Sequence, residues 1–136
     1  MKIGKMLLAA LVVGILEMAW GWLTCGWLFN WVYRIEPVNI WKLGEEIPFV
    51  LMNVSTLVFA FLLAMAYNII RKGLPGRGVF AKGLLFGLIV WIVGALPGIG
   101  SMAMFTTIAP VVIIYWLINA FVANIWKGII IAAIVR

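Results

Sequence analysis

Few side chains in this sequence have the chemistry to act, and the most conspicuous is Glu17, a lone carboxylate in the run MLLAALVVGILEMAWGWL. It lies about 11 residues into that run, hence roughly 17 Å deep at 1.5 Å per residue if the run crosses a bilayer. A charge at such depth costs at least about 2.5 kcal/mol, so the residue must face protein or water. Two roles follow: a neutral carboxyl that hydrogen-bonds a neighbouring helix, or a proton or cation site. The polar side chains that could share a site with it are Lys127, Thr24 and Ser101. A depth count sets Lys127 near the membrane boundary, roughly 10 Å from the level of Glu17. Its long stem is therefore expected to snorkel, with a Glu17–Lys127 pair as the alternative.

The second candidate is the segment Ala95-Leu-Pro-Gly-Ile-Gly100. Pro97 has no N–H for the Val93 carbonyl, and Gly98 and Gly100 do little to hold the turn, so a kink or local unwinding is predicted. Carbonyls freed inside a membrane must find partners, among which Ser101, water, a neighbouring helix or a bound cation are candidates.

Other chemistry is excluded by composition. The chain has no histidine, which removes Ser-His and Cys-His nucleophile pairs, imidazole metal sites and histidine-ligated haem. The single cysteine, Cys25, reads as a small packing residue. Gly83, Gly87, Gly94, Gly98 and Gly100 lie in an apolar run without the ending of a phosphate loop. No metal, cofactor or enzymatic activity is expected.

The elements that must position these residues follow from hydropathy. Of 136 residues, 67% are hydrophobic and 10% charged, with a mean hydropathy of +1.23; soluble domains are about 45–50% apolar and about 25% charged. The chain reads as an all-α integral membrane protein with four transmembrane helices, at about 6–33, 49–70, 83–107 and 110–135, forming a single membrane domain. Lys2 and Lys5 followed by an apolar stretch look like a signal sequence, but the run continues past Trp20 and Trp22 without a cleavage pattern, so it is read as a retained first helix.

Two loops separate by charge. Residues 34–48 carry two basic and three acidic side chains, and residues 71–82 carry four basic and no acidic ones. With Lys2, Lys5, Lys127 and Arg136 on the side of the second loop, the positive-inside rule gives an N-in, C-in topology in an inner, cytoplasmic membrane of prokaryotic type. The first loop is then periplasmic or extracellular, and a short interfacial helix around 38–47 is possible because Lys42 can meet Glu45 or Glu46. Trp27, Trp31, Tyr33 and Trp41 cluster there as interfacial anchors. Arg71, Lys72, Arg77 and Lys82 in the basic cytoplasmic loop are expected to contact anionic lipid headgroups and not nucleic acid.

Packing faces are also legible. At about 100° per residue, Ala10, Gly14, Glu17, Gly21, Thr24 and Cys25 share one stripe of the first helix. Gly83, Gly87, Gly94, Gly98 and Ser101 share a face of the third, and such small-residue faces let helices approach where lipid gives no hydrophobic push. Asn53, Ser55, Thr56, Asn68, Asn119 and Asn124 are scattered, with interhelical hydrogen bonding as their expected role. Lys5-Met-Leu-Leu and Lys82-Gly-Leu-Leu open the first and third spans, so two tandem helical hairpins are possible. The expected function is that of a structural or accessory subunit, packing through its small faces into a homo-oligomer or larger membrane complex. A small channel or transporter using Glu17 and the Pro97 break is the alternative. A lipid- or hydrophobic-molecule-binding protein is third, from eight tryptophans and seven methionines.

Overall fold

The computed structural model describes residues 2–136, and every regular element among them is helical. Helix α1 (Ile3–Gly21) runs into a π-helical segment at Trp22–Leu28 and a 3-10 turn at Asn30–Arg34. Helix α2 (Phe49–Ile70) follows, then α3 (Val79–Val90), a second π-helical segment (Trp91–Ala95), α4 (Leu96–Phe105) and α5 (Pro110–Val135). Four stretches are long and apolar enough to cross a membrane: Ile3–Leu28, Phe49–Ile70, Val79–Phe105 and Pro110–Val135.

Two boundaries differ from the expected ones. The first span stops at Leu28, because Phe29 leaves helical geometry (φ −117°, ψ 19°) and the chain tightens into the 3-10 turn. The third begins at Val79, directly after Gly78 at φ +91°, a conformation open to glycine. Lys82 therefore belongs to the first turn of α3, and the loop before it is shorter than the charge pattern implied. The interfacial helix expected at 38–47 reduces to a 3-10 turn at Gly44–Glu46. Leu43 is extended and Gly44 takes φ +56°, which interrupts any longer helix.

α1 and α2 pack as one hairpin, α3–α4 and α5 as another, and α5 lies against α1 to join them. Lys2 and Lys5 each donate from Nζ to the Arg136 backbone oxygen at 3.2 Å, so α1 and α5 are antiparallel, with both chain ends at one end of the bundle. The main core is at this terminal end. Met6, Ala9, Ala10 and Val13 of α1 meet Ala60, Ala64 and Tyr67 of α2 and Ile131, Ala132 and Val135 of α5, with Phe86 edge-on to Tyr67. Alanines at this density bring backbones together and maximise dispersion contacts. A smaller cluster, Val32, Ala109 and Val112, closes the loop end beneath Tyr33, Trp41 and Trp116.

Candidate functional site: an interhelical ion pair

Glu17 occupies the middle of the α1 span, and the structure sets its Oε1 3.2 Å from Nζ of Lys127 on α5. The depth count that separates these two treats side chains as points on their helix axes. A helical Cα–Cβ bond tilts toward the N-terminus, and α1 and α5 are antiparallel. The two side chains thus lean toward each other, and the long lysine stem closes the remaining distance. Lys127 is the more enclosed partner, with 14% of its side chain exposed against 32% for Glu17.

The pair borders a cavity of about 130 Å³ between α1, α2 and α5, walled by Val13, Phe59, Ala60 and Leu63 with Thr56 at its edge. Oε2 of Glu17 is enclosed and has no hydrogen-bond partner among the described residues. The Thr56 hydroxyl is spent on the Met52 carbonyl of its own helix, at 2.9 Å. One carboxylate oxygen is thus held by the ammonium group, and the other is enclosed without a donor among the described residues.

Thr24 and Ser101, expected to share this site, do not reach it. Thr24 is buried in the first π-helical segment, where its hydroxyl donates to the Trp20 carbonyl at 2.7 Å and accepts from Asn119 Nδ2 at 3.4 Å. Asn119 Oδ1 accepts from Trp20 Nε1 at 2.9 Å, and Cys25 Sγ lies 3.5 Å from the Tyr115 hydroxyl. These residues make a second polar knot between α1 and α5, one that a search for charged groups misses. The available signal was that a buried indole N–H usually finds an acceptor. Beside the knot is an apolar cavity of about 460 Å³, lined by Leu28, Phe29, Ile114 and Ile118 among others.

At the Pro97 break the helix does not unwind. The π-helical segment widens one turn, the Leu96 N–H reaches back to the Trp91 carbonyl, and Pro97 then sits at the start of α4, where an N–H is dispensable. Ser101 donates to the Gly98 carbonyl at 3.0 Å within the same helix, so this segment stays apart from the Glu17 cavity.

The glycine faces divide. Gly83, Gly87 and Gly128 meet backbone to backbone: a Cβ on Gly83 would lie 2.6 Å from the Ile129 Cα, and one on Gly87 would strike the Asn124 carbonyl. Asn124 is buried at this crossing. Gly14 faces the Leu57 side chain, and Ala10 is buried. A Cβ on Gly21, Gly94, Gly98 or Gly100 would meet nothing within 4 Å, so the terminal half of the α3–α4 face is used internally and the other half is open.

The aromatic anchors divide as well. Trp27 and Trp31 project outward, 63% and 53% exposed. Tyr33 and Trp41 turn inward instead, stacking edge-on with centroids 5.1 Å apart, and Trp116 Nε1 donates to the Tyr33 hydroxyl at 2.8 Å. Burial pushes the Tyr33 phenol well above its ordinary range, chiefly by desolvation of the anion. Compared with known proteins, the chain matches no family model, no curated protein and no solved structure.

Proposed function

We propose that the protein is a small, non-enzymatic, multi-pass membrane protein with both termini cytoplasmic, serving as a structural or accessory subunit in a homo-oligomer or larger complex of a prokaryotic-type inner membrane. The observation that carries this reading is the state of Glu17: its charge is matched by Lys127, yet its side chain is 32% open in the single chain. A carboxylate side chain left partly open in mid-membrane is expensive against acyl chains, and a packed neighbouring helix would cover its open part. The open glycines Gly94 and Gly98 give a second surface where a helix could approach closely. Gentle extraction followed by native mass spectrometry tests this: a homo-oligomer or a stoichiometric companion is expected, and lone monomers would overturn it.

A second reading, a small channel or transporter, is favoured by the cavity of about 130 Å³ beside Oε2, which has no donor among the described residues. Glu17→Gln separates the two. A subunit held together by hydrogen bonding keeps its assembly, because an amide still accepts from Lys127. A proton-coupled carrier loses transport in proteoliposomes while keeping its fold.

A further inference from the structure

We propose that the terminal end of the bundle carries a binding site for a phosphate group borne by an anionic amphiphile. Arg71, Lys72, Lys82 and Arg136, drawn from three different parts of the chain, surround one recess of about 440 Å³ together with Tyr67 and Val79.

Several features make this more than a basic surface. The four side-chain carboxylates of the protein all lie elsewhere: Glu17 is paired with Lys127, and Glu36, Glu45 and Glu46 are in the loop at the opposite end. Two cations of the recess are held in place by neutral acceptors. Arg71 Nη1 donates to the Val135 carbonyl at 2.8 Å, and Lys82 Nζ donates to the Arg71 carbonyl at 2.8 Å. Each bond fixes a side chain without cancelling its charge, and each leaves donors to spare, since a guanidinium has five N–H groups and an ammonium three. The Arg136 backbone oxygen is already engaged by Lys2 and Lys5. Four clustered cations with no acidic side chain among them repel one another, and an anion with several acceptor oxygens relieves that repulsion through charge-assisted hydrogen bonds.

The surroundings select the carrier of the phosphate. Tyr67 and Val79 give the recess an apolar wall, and the helices that carry them, α2 and α3, also bear the outward-facing Ile69 and Phe80, 68% and 64% exposed. A phosphate attached to acyl chains would place its head on the cations and its tails along these side chains, as lipid headgroups do in basic pockets at helix ends. Arg77, which the charge pattern groups with Arg71, Lys72 and Lys82, does not line the recess.

The test uses the full chain in neutral detergent, with lipid retention read by native mass spectrometry. The probes are phosphatidylglycerol, phosphatidylcholine and inorganic phosphate. Phosphatidylglycerol should be retained in a single stoichiometric position and phosphatidylcholine should not. Lys72→Gln and Lys82→Gln should each weaken retention about fivefold, the scale of one basic charge at a membrane surface, and Arg77→Gln should leave it unchanged. Lys72 is exposed, so its variant reports on binding even if Lys82→Gln fails to fold. Displacement of the lipid by millimolar inorganic phosphate would assign the site to free phosphate and overturn the amphiphile as its ligand. Equal retention of phosphatidylcholine, or an equal loss in Arg77→Gln, would overturn the proposal in favour of diffuse attraction. A monomeric protein that retains phosphatidylglycerol would uphold this site while removing the assembly reading, so the two fail separately.

Discussion

Glu17 on α1 and Lys127 on α5 meet at 3.2 Å in the middle of the bundle, and they form the one side-chain ion pair within 4 Å among the described residues. They join the two helical hairpins, one through α1 and the other through α5. Each is the reason the other can be there.

Breaking this pair should cost more than its Coulomb attraction suggests, because the surviving charge is left without a partner away from water. Lys127→Ala and Glu17→Ala should each destabilise the fold by about 3 kcal/mol, whereas Glu17→Met combined with Lys127→Met should come back close to the parent. Unfolding by sodium dodecyl sulfate in mixed micelles, followed by circular dichroism, measures all three. A double variant no more stable than the single ones would contradict the account.

The glycines give opposite outcomes along one helix face. Gly87→Ala forces a methyl group against the Asn124 carbonyl of α5, and Gly83→Ala against the Ile129 backbone, so each should cost about 1–3 kcal/mol. Gly98→Ala meets nothing within 4 Å and should leave the monomer as stable or up to about 1 kcal/mol more so. If a partner helix seats on that half of the face, Gly94→Leu with Gly98→Leu will dissociate the assembly while sparing the monomer, a contrast that size-exclusion chromatography with light scattering resolves.

Asn119 holds the second polar knot. Asn119→Leu strands the Trp20 indole N–H in an apolar setting and should cost about 1–3 kcal/mol. Thr24→Val should cost less than about 1 kcal/mol, since its contact with Asn119 is long at 3.4 Å and its hydroxyl otherwise bonds its own helix. The same denaturation measurement ranks them, and equal costs would show that the knot is centred on Thr24 instead.

Tyr33 makes the loop end sensitive to alkali. Its phenol is raised above the ordinary value of 10.0 by burial, the Trp116 hydrogen bond opposing this only in part. A group raised in the folded state contributes stability that is present below its unfolded pKa and lost as pH climbs toward the folded one. Stability should therefore fall from about pH 10 upward, and less steeply in Tyr33→Phe. In ultraviolet titration, the difference between parent and Tyr33→Phe should show a phenol ionising above 10.0; a midpoint at or below that value would exclude the buried setting.

Much of the fold was legible in advance. Long apolar runs bounded by charges and prolines marked all four long helical stretches, with the second and fourth matching at both ends because Pro48 and Pro110 punctuate their starts and Arg71 and Arg136 follow their last residues. Gly83 and Gly87 were readable as contact residues because small spacing in lipid has one main use. The π-helical segments were not readable: a one-residue widening leaves hydropathy unchanged, and Thr24-Cys25-Gly26 looks like ordinary small-residue sequence. Nor was the inward turn of Tyr33 and Trp41, since an aromatic side chain near a helix end suits a headgroup anchor and a cap equally well.

Residue types and run lengths alone determined that this chain is built of long apolar helical stretches and short of every catalytic group that needs imidazole. What tertiary structure decided is which distant residues meet. Antiparallel packing leaned Glu17 and Lys127 together across a gap that counting along the helices leaves open, used half of a glycine face and spared the rest, and gathered four cations into one recess. Periodicity fixes the direction of a side chain about its own axis, but its neighbour depends on the tilt, register and pairing of helices, and these are set only when the whole bundle packs.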